Sequence, residues 1–379
     1  MASAIPFIAD DFHLSPFGMG GVLSAFFVGY ALMQIPGGLL ADRLGSNRVL
    51  TASIVGWSIF TALTGIASSV TALVLIRMLF GFSEGPFPPA ASKSVALWFP
   101  QREIGRANGL QLAAVNIGAA IAPLLVAPLI IHWGWRAAFY SLLVPGLVLA
   151  ILVQRIVKDS GAQCESDGNQ QCDQVHAAQM RDVLKMPAVL WCAVTLFFVN
   201  MVSWGLMNWL PTYLLQARGF SIARMGVGTS LPFLSGAVGY YLGGHFSDRY
   251  FSDQRHMPIV FGLVLGGAMT YWAAIAPSGE WAIAALTLAF FFLFVASAGL
   301  FTLPLLIVPQ NAVGRAFGIV NTAGQLAALL SPLLVGYVLN ATDKNFTLIF
   351  YGFVGLFVAS ACAATRIRQS NQVAGEAAG

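Results

Sequence analysis

Two stretches, IPFIADDFHLSPFGMGG…PGGLLADRLG (residues 5–45) and LPTYLLQARGFSIARMGVG…LGGHFSDRY (residues 210–250), are copies of one pattern. Pro6 matches Pro211. At an offset of 206, Ser15 matches Ser221, Met19 matches Met225, Gly38 matches Gly244, Asp42 matches Asp248 and Arg43 matches Arg249. Further along, at an offset of 209, Arg106 matches Arg315, Gly109 matches Gly318, Asn116 is set against Gln325 and Pro123 matches Pro332. A half-chain that repeats itself is an architecture of membrane carriers, in which the two halves enclose a site near the bilayer midplane.

Composition places those halves in lipid. The chain of 379 residues is 58% hydrophobic and 9% charged, against about 25% charged in soluble domains. Apolar runs of about 20 residues span a bilayer as helices, because lipid gives backbone groups no hydrogen bonds. Eleven such runs are predicted, at roughly 17–40, 49–68, 71–98, 107–131, 136–157, 188–215, 225–246, 257–277, 281–308, 315–339 and 346–366. One set of alternating connections, with the C-terminal tail, holds Arg43, Arg48, Arg102, Arg106, Arg155, Lys158, Arg181, Lys185, Arg249, Arg255, Arg315, Arg366 and Arg368. The opposite set holds Arg136, Arg218, Arg224 and Lys344. The first set is therefore expected to be cytoplasmic.

The repeat also exposes a gap. A full apolar span precedes Pro211, whereas five residues precede Pro6. The first residues, MASAIPFIADDFH, do not have the basic and apolar regions of a signal peptide. The expectation is two six-helix bundles with the first helix missing, leaving 11 complete transmembrane helices; a misassigned start is favoured over a natural truncation. The domain expectation is an N-terminal bundle over 1–157, a polar cytoplasmic linker over 158–187, a C-terminal bundle over 188–367 and a tail over 368–379. In the linker, Cys164, Cys172 and His176 have no fourth ligand and no tight pair, so no metal site is expected. A net charge of +4 spread over many loops gives no nucleic-acid surface. No nucleophile and base fall in register with an aqueous site, so an enzyme is not expected, and no cofactor is implied.

Gly38-Leu-Leu-Ala-Asp42-Arg43-Leu-Gly45-Ser-Asn-Arg48, in the loop after the first complete span, resembles the loop signature of the major facilitator superfamily. Gly244-His-Phe-Ser-Asp248-Arg249 is its degenerate second copy. Small residues allow tight packing at the helix end, while Asp42, Arg43, Asp248 and Arg249 are candidate gating residues that pair to hold the cytoplasmic side closed. DFHLSP (11–16), SAFFVGYALMQIPGG (24–38), RMLFGFSEGPFPP (77–89) and NWLPTYL (208–214) together resemble the anion:cation symporter family within that superfamily. The resemblance implies an all-α major facilitator fold and uptake of organic anions coupled to protons. In that family the first helix supplies an Asp-Arg pair and an aromatic, positions that this sequence does not contain.

Of the 15 acidic residues, only Glu84 lies near the middle of a predicted span. Ionisable groups inside the membrane are usually functional, and a carboxyl that is costly to hold charged is suited to taking up and releasing a proton, so Glu84 is the candidate proton carrier. Arg77 lies two turns earlier on the same face, about 10 Å away. It is suited to bidentate contact with a carboxylate. Gly85, Pro86, Pro88 and Pro89 follow at once and are expected to break the span beside the carboxyl. Lys93, about half a turn round the helix, is expected at the cytoplasmic interface. Polar pairs one turn apart add candidate substrate contacts: Tyr30 with Gln34, Asn321 with Gln325 (and Asn116 by the repeat), and the stripe Asn200, Trp204, Asn208. Each serves equally well as interhelical glue.

The reading is a monomeric, multi-pass carrier in the cell membrane (the inner membrane of a Gram-negative cell). It imports a small organic anion, such as a sugar acid, by proton symport with alternating access. The rivals are a drug/proton antiporter or exporter on the same fold, and a transport-dead fragment or sensor.

Overall fold

The computed structural model describes residues 1–99, 104–157, 186–250, 256–307 and 313–376. The predicted linker over 158–187 lies almost wholly outside them. Every described element is helical: α1 (Ile5–Phe12), α2 (Pro16–Leu44), α3 (Ser46–Ile66), α4 (Val70–Glu84), α5 (Phe87–Trp98), α6 (Ile104–Ser141), α7 (Leu143–Ile156), α8 (Pro187–Thr212), a π-helical turn (Tyr213–Ala217), α9 (Ile222–Tyr250), α10 (His256–Ile275), α11 (Gly279–Ile307), α12 (Val313–Ala341) and α13 (Phe346–Glu376). Each of the eleven predicted spans falls on a helix or helix pair.

Nine stretches among the described residues are long and apolar enough to cross a membrane. One, Ala114–Ile156, has 43 residues, about 65 Å of helix and twice a ~30 Å hydrocarbon core. It is divided at Gly134, whose backbone turns to φ 79°, ψ 168°. Only glycine adopts that conformation without a steric penalty, so this residue lets one apolar run become two spans.

The chain forms two compact units, the first including residues 1–112 and 125–157, the second 186–331 and 341–376. Inside both, helices approach until a side chain no longer fits between them. In the first unit, a Cβ on Gly29 would strike the Met78 carbonyl, and one on Gly81 would strike the Phe26 carbonyl. These glycines press α2 and α4 backbone to backbone. At one end of this unit Ala41, Val49, Leu50 and Ala90 are buried together, with Phe87 and Val153 packed against them. Asn47, inside the loop signature, donates from its side-chain amide to the carbonyls of Gln154 (3.0 Å) and Val157, closing the end of α7 onto α3.

In the second unit hydroxyl groups tie two helices to α8. Ser331 donates to the Met201 carbonyl at 2.5 Å, and Ser360 to the Thr195 carbonyl at 3.2 Å, tying α12 and α13 to it. Gly243 leaves 2.7 Å between a notional Cβ and the Val295 carbonyl, so α9 and α11 also touch through backbone. Close approach through small residues, with hydroxyls bonding across the gap, is how helices associate where lipid offers no hydrophobic gradient.

Candidate functional site

In the first unit the polar residues of α2 and α4 converge because glycines hold those helices together. A Cβ on Gly85 would lie 2.7 Å from the Tyr30 carbonyl oxygen and 2.9 Å from Met33 Cβ. Gly85 immediately follows Glu84, so this contact sets the carboxyl beside Tyr30. The Gln34 side chain, one turn on, lies against the Tyr30 phenol. Glu84 itself is half-buried.

The expected break beside the carboxyl is present, and it is gentle. Gly85 (φ −52°, ψ −38°) and Pro86 (φ −70°, ψ −18°) keep helical torsions between α4 and α5. The hydrogen-bond ladder breaks while the chain direction is kept. Pro86, Pro88 and Pro89 have no N–H to offer the carbonyls of Phe82, Glu84 and Gly85, and the ladder resumes where Ala90 donates to Pro86 at 3.3 Å. Lys93 on α5 donates to the Ala41 carbonyl at 2.9 Å. A cation thus closes the C-terminal end of α2, where the helix dipole favours it.

Arg77 is only 8% exposed. Its guanidinium carbon stands 5.3 Å from the Phe26 ring centre and 4.8 Å from that of Phe80. Phe26 in turn lies 5.3 Å from Tyr30. The aromatic faces attract the cation, yet the Arg77 Nε has no hydrogen-bond partner. Among the described residues no ion pair joins Arg77 to Glu84. Sequence reasoning placed Arg77 and Glu84 on one face; it missed Phe26 and Phe80, which are two of 28 phenylalanines and carry no mark of their role.

The second unit holds the other candidates. Asn208 donates to the Trp204 carbonyl at 2.9 Å, so its N–H is engaged within its own helix. Asn321 and Gln325 are half-buried on α12. Asn116, on the part of α6 that groups with this unit, is 6% exposed. Arg43 is exposed in the last turn of α2, whereas the side chains of Asp42, Asp248 and Arg249 lie outside the described residues, as does that of Arg315.

A further cluster escaped the sequence reading. Asp11, at the end of α1, accepts from Trp135 Nε1 at 2.9 Å and from Arg136 Nη1. The Arg136 guanidinium lies 4.3 Å from the Trp135 ring centre. These partners hold the Asp11 carboxyl below its ordinary range, the Trp135 bond first and the Arg136 bond second. The pair spans more than a hundred residues of sequence, and nothing local announces it.

Duplicated bundles of apolar helices, with a buried Arg and a carboxyl near mid-span, define a polytopic membrane carrier. The Major Facilitator Superfamily model matches residues 1–332, and the chain belongs to that superfamily, whose members are transporters and not enzymes. It is 33% identical over 357 residues to the probable sulfoacetate transporter SauU of Cupriavidus necator, covering 90% of this chain and 83% of that one. It is 28% identical over 353 residues to the hexuronate transporter of Bacillus subtilis (90% and 84% covered). It is 30% identical over 381 residues to the probable galactarate/D-glucarate transporter GarP of Escherichia coli (91% and 85% covered). Among solved structures, a bacterial homologue of the human lysosomal transporter Spinster, inward-facing and unoccupied, superposes with a TM-score of 0.82 at 19% identity, covering 98% of this chain and 92% of that one. That likeness establishes the fold.

Proposed function

We propose that this protein imports an organic anion of the sugar-acid class across the cell membrane by proton symport with alternating access. The observation that carries the reading is Arg77, a buried cation with an unused donor. Leaving such a group unpaired costs several kcal/mol, and a carboxylate arriving from solution would remove that cost. The three relatives are named for carrying sulfoacetate, hexuronate, and galactarate or D-glucarate, all anions that a guanidinium can grip through two oxygens.

In this scheme Arg77 holds the anion, with Tyr30 and Gln34 beside it on α2 and Asn116, Asn208, Asn321 and Gln325 as further contacts. Glu84 carries the proton. Asp42, Arg43, Asp248 and Arg249 act at the cytoplasmic gate. The protein works as a monomer. Binding of anion and proton at neighbouring groups makes each favour the other, which is the coupling a symporter needs.

The test uses full-length protein in proteoliposomes under an inward proton gradient. Galactarate, glucuronate and galactonate are offered in turn, and internal pH is read with a trapped dye. An anion-dependent proton influx is expected. Glu84→Gln is expected to abolish accumulation above equilibrium while leaving anion counterflow. Accumulation by Glu84→Gln at the wild-type level would remove Glu84 from the coupling role, and anion uptake with no proton movement would remove symport.

A further inference from the structure

In the second unit three side-chain amides, one on α8 and two on α12, have no hydrogen-bond partner among the described residues. A Cβ built on Gly324 would lie 2.6 Å from Asn200 Nδ2 and 3.2 Å from Leu196 Cδ2. Gly324 is thus a notch in α12 into which the Asn200 amide of α8 fits. At ~100° per residue Asn321 and Gln325 lie about 60° and about 100° round α12 from that notch, both to the same side of it, so the three positions fall within an arc of about 100°. Asn200 therefore meets α12 on the side that bears both amides.

Two polar groups nearby are already engaged. Asn208 donates to its own helix, and the Ser331 hydroxyl is bound to the Met201 carbonyl. Asn200, Asn321 and Gln325 are each half-buried, and none of the three makes a side-chain hydrogen bond among the described residues. Amides kept in an apolar bundle without partners are costly unless something else satisfies them. Each offers two donors and an acceptor, and none brings a formal charge. Such a cluster suits hydroxyl groups, which both give and accept hydrogen bonds, better than a carboxylate, which only accepts.

We infer that Asn200 is a specificity-determining residue: with Asn321 and Gln325 it forms an amide cluster that reads the hydroxyl groups of a polyhydroxylated acid. This rests on the organic-anion reading above and narrows it, because it predicts preference for hydroxylated over bare carbon chains. Gly324 is the positioning residue, since only its missing side chain lets the Asn200 amide reach α12.

The experiment measures uptake of D-glucarate by full-length protein in proteoliposomes, with adipate, the six-carbon diacid without hydroxyls, as paired probe, and galactonate and sulfoacetate as further anions. Wild type is expected to carry glucarate or galactonate with a lower KM than adipate or sulfoacetate. Asn200→Leu, which keeps the size and removes the amide, should raise KM for the hydroxylated acid about tenfold, the loss expected of one neutral hydrogen bond. Its KM for adipate should move much less than its KM for the hydroxylated acid. Asn200→Gln should restore part of the preference. Gly324→Ala, which removes no polar group, should shift the same ratio in the same direction by displacing the Asn200 amide. An equal loss for both acids in Asn200→Leu would overturn the inference by reducing Asn200 to packing. Wild-type transport confined to adipate or sulfoacetate would overturn it while leaving an organic-anion carrier. Transport of no anion would overturn both.

Discussion

Replacing Gly85 by alanine adds one carbon at the place where α2 and α4 are closest to the Glu84 carboxyl. That carbon would sit 2.7 Å from the Tyr30 carbonyl oxygen, against 3.4 Å for the start of ordinary contact. The shortfall is about 0.7 Å. Neither neighbour can yield by swinging aside, because one is backbone and the other, Met33 Cβ at 2.9 Å, is the root of its side chain. The helices must part, at a strain of about 1–3 kcal/mol, and Tyr30 must leave Glu84 by most of an ångström. A misplacement of ~1 Å in a site that works by proximity can cost on the order of 10²-fold in rate. Gly85→Ala is therefore expected to lower gradient-driven anion uptake by one to two orders of magnitude, with a lower melting temperature in detergent. Gly21→Ala is the control. It lies on α2, the helix that carries Tyr30, and meets nothing within 4 Å, so it should gain up to ~1 kcal/mol from helix propensity and transport normally. Wild-type uptake by Gly85→Ala would refute the claim that close backbone contact between α2 and α4 positions Glu84 for transport.

Arg77→Lys keeps the charge and removes the fork that grips two oxygens; KM for the anion should rise at least tenfold in counterflow, whereas Arg77→Met should show no saturable binding. The Asp11 contact should survive mild acid. Because its partners depress the folded carboxyl below its ordinary range, its contribution is complete above the unfolded value of ~3.9 and is lost only as pH falls through the lower folded value. Fluorescence of Trp135, whose indole N–H is bonded to Asp11, should therefore stay constant from pH 7 to 5, and Asp11→Asn should change it at every pH. Arg218 donates to the carbonyls of Ala276 (3.1 Å) and Ala273 (3.3 Å) and to the Tyr213 hydroxyl (2.6 Å), so Arg218→Gln should lower stability by about 1.5–3 kcal/mol, measured by thermal unfolding in detergent. Lys93→Met should also destabilise the protein, because it removes the charged donor to the Ala41 carbonyl at the C-terminal end of α2.

What the sequence announced and what it concealed follow one physical rule. In a chain that is 9% charged, an ionisable residue at mid-span is rare, so Glu84 and Arg77 stand out at once; the three prolines after Glu84 break a helix wherever that helix lies. These readings need only one segment. Features made by two segments were hidden. The Phe26 and Phe80 rings around Arg77 look like any apolar residues facing lipid. The Asp11–Arg136 contact joins α1 to α6, which no periodicity connects. The notch at Gly324 is one of 39 glycines until α8 and α12 are set in register and the Asn200 amide is found in it. Even the repeat, which reveals the architecture, cannot set that register, because it relates equivalent helices of the two halves and not the neighbours within one. In an apolar bundle charge identifies the reacting groups, while missing side chains determine how near those groups come, and only the second kind of information requires three dimensions.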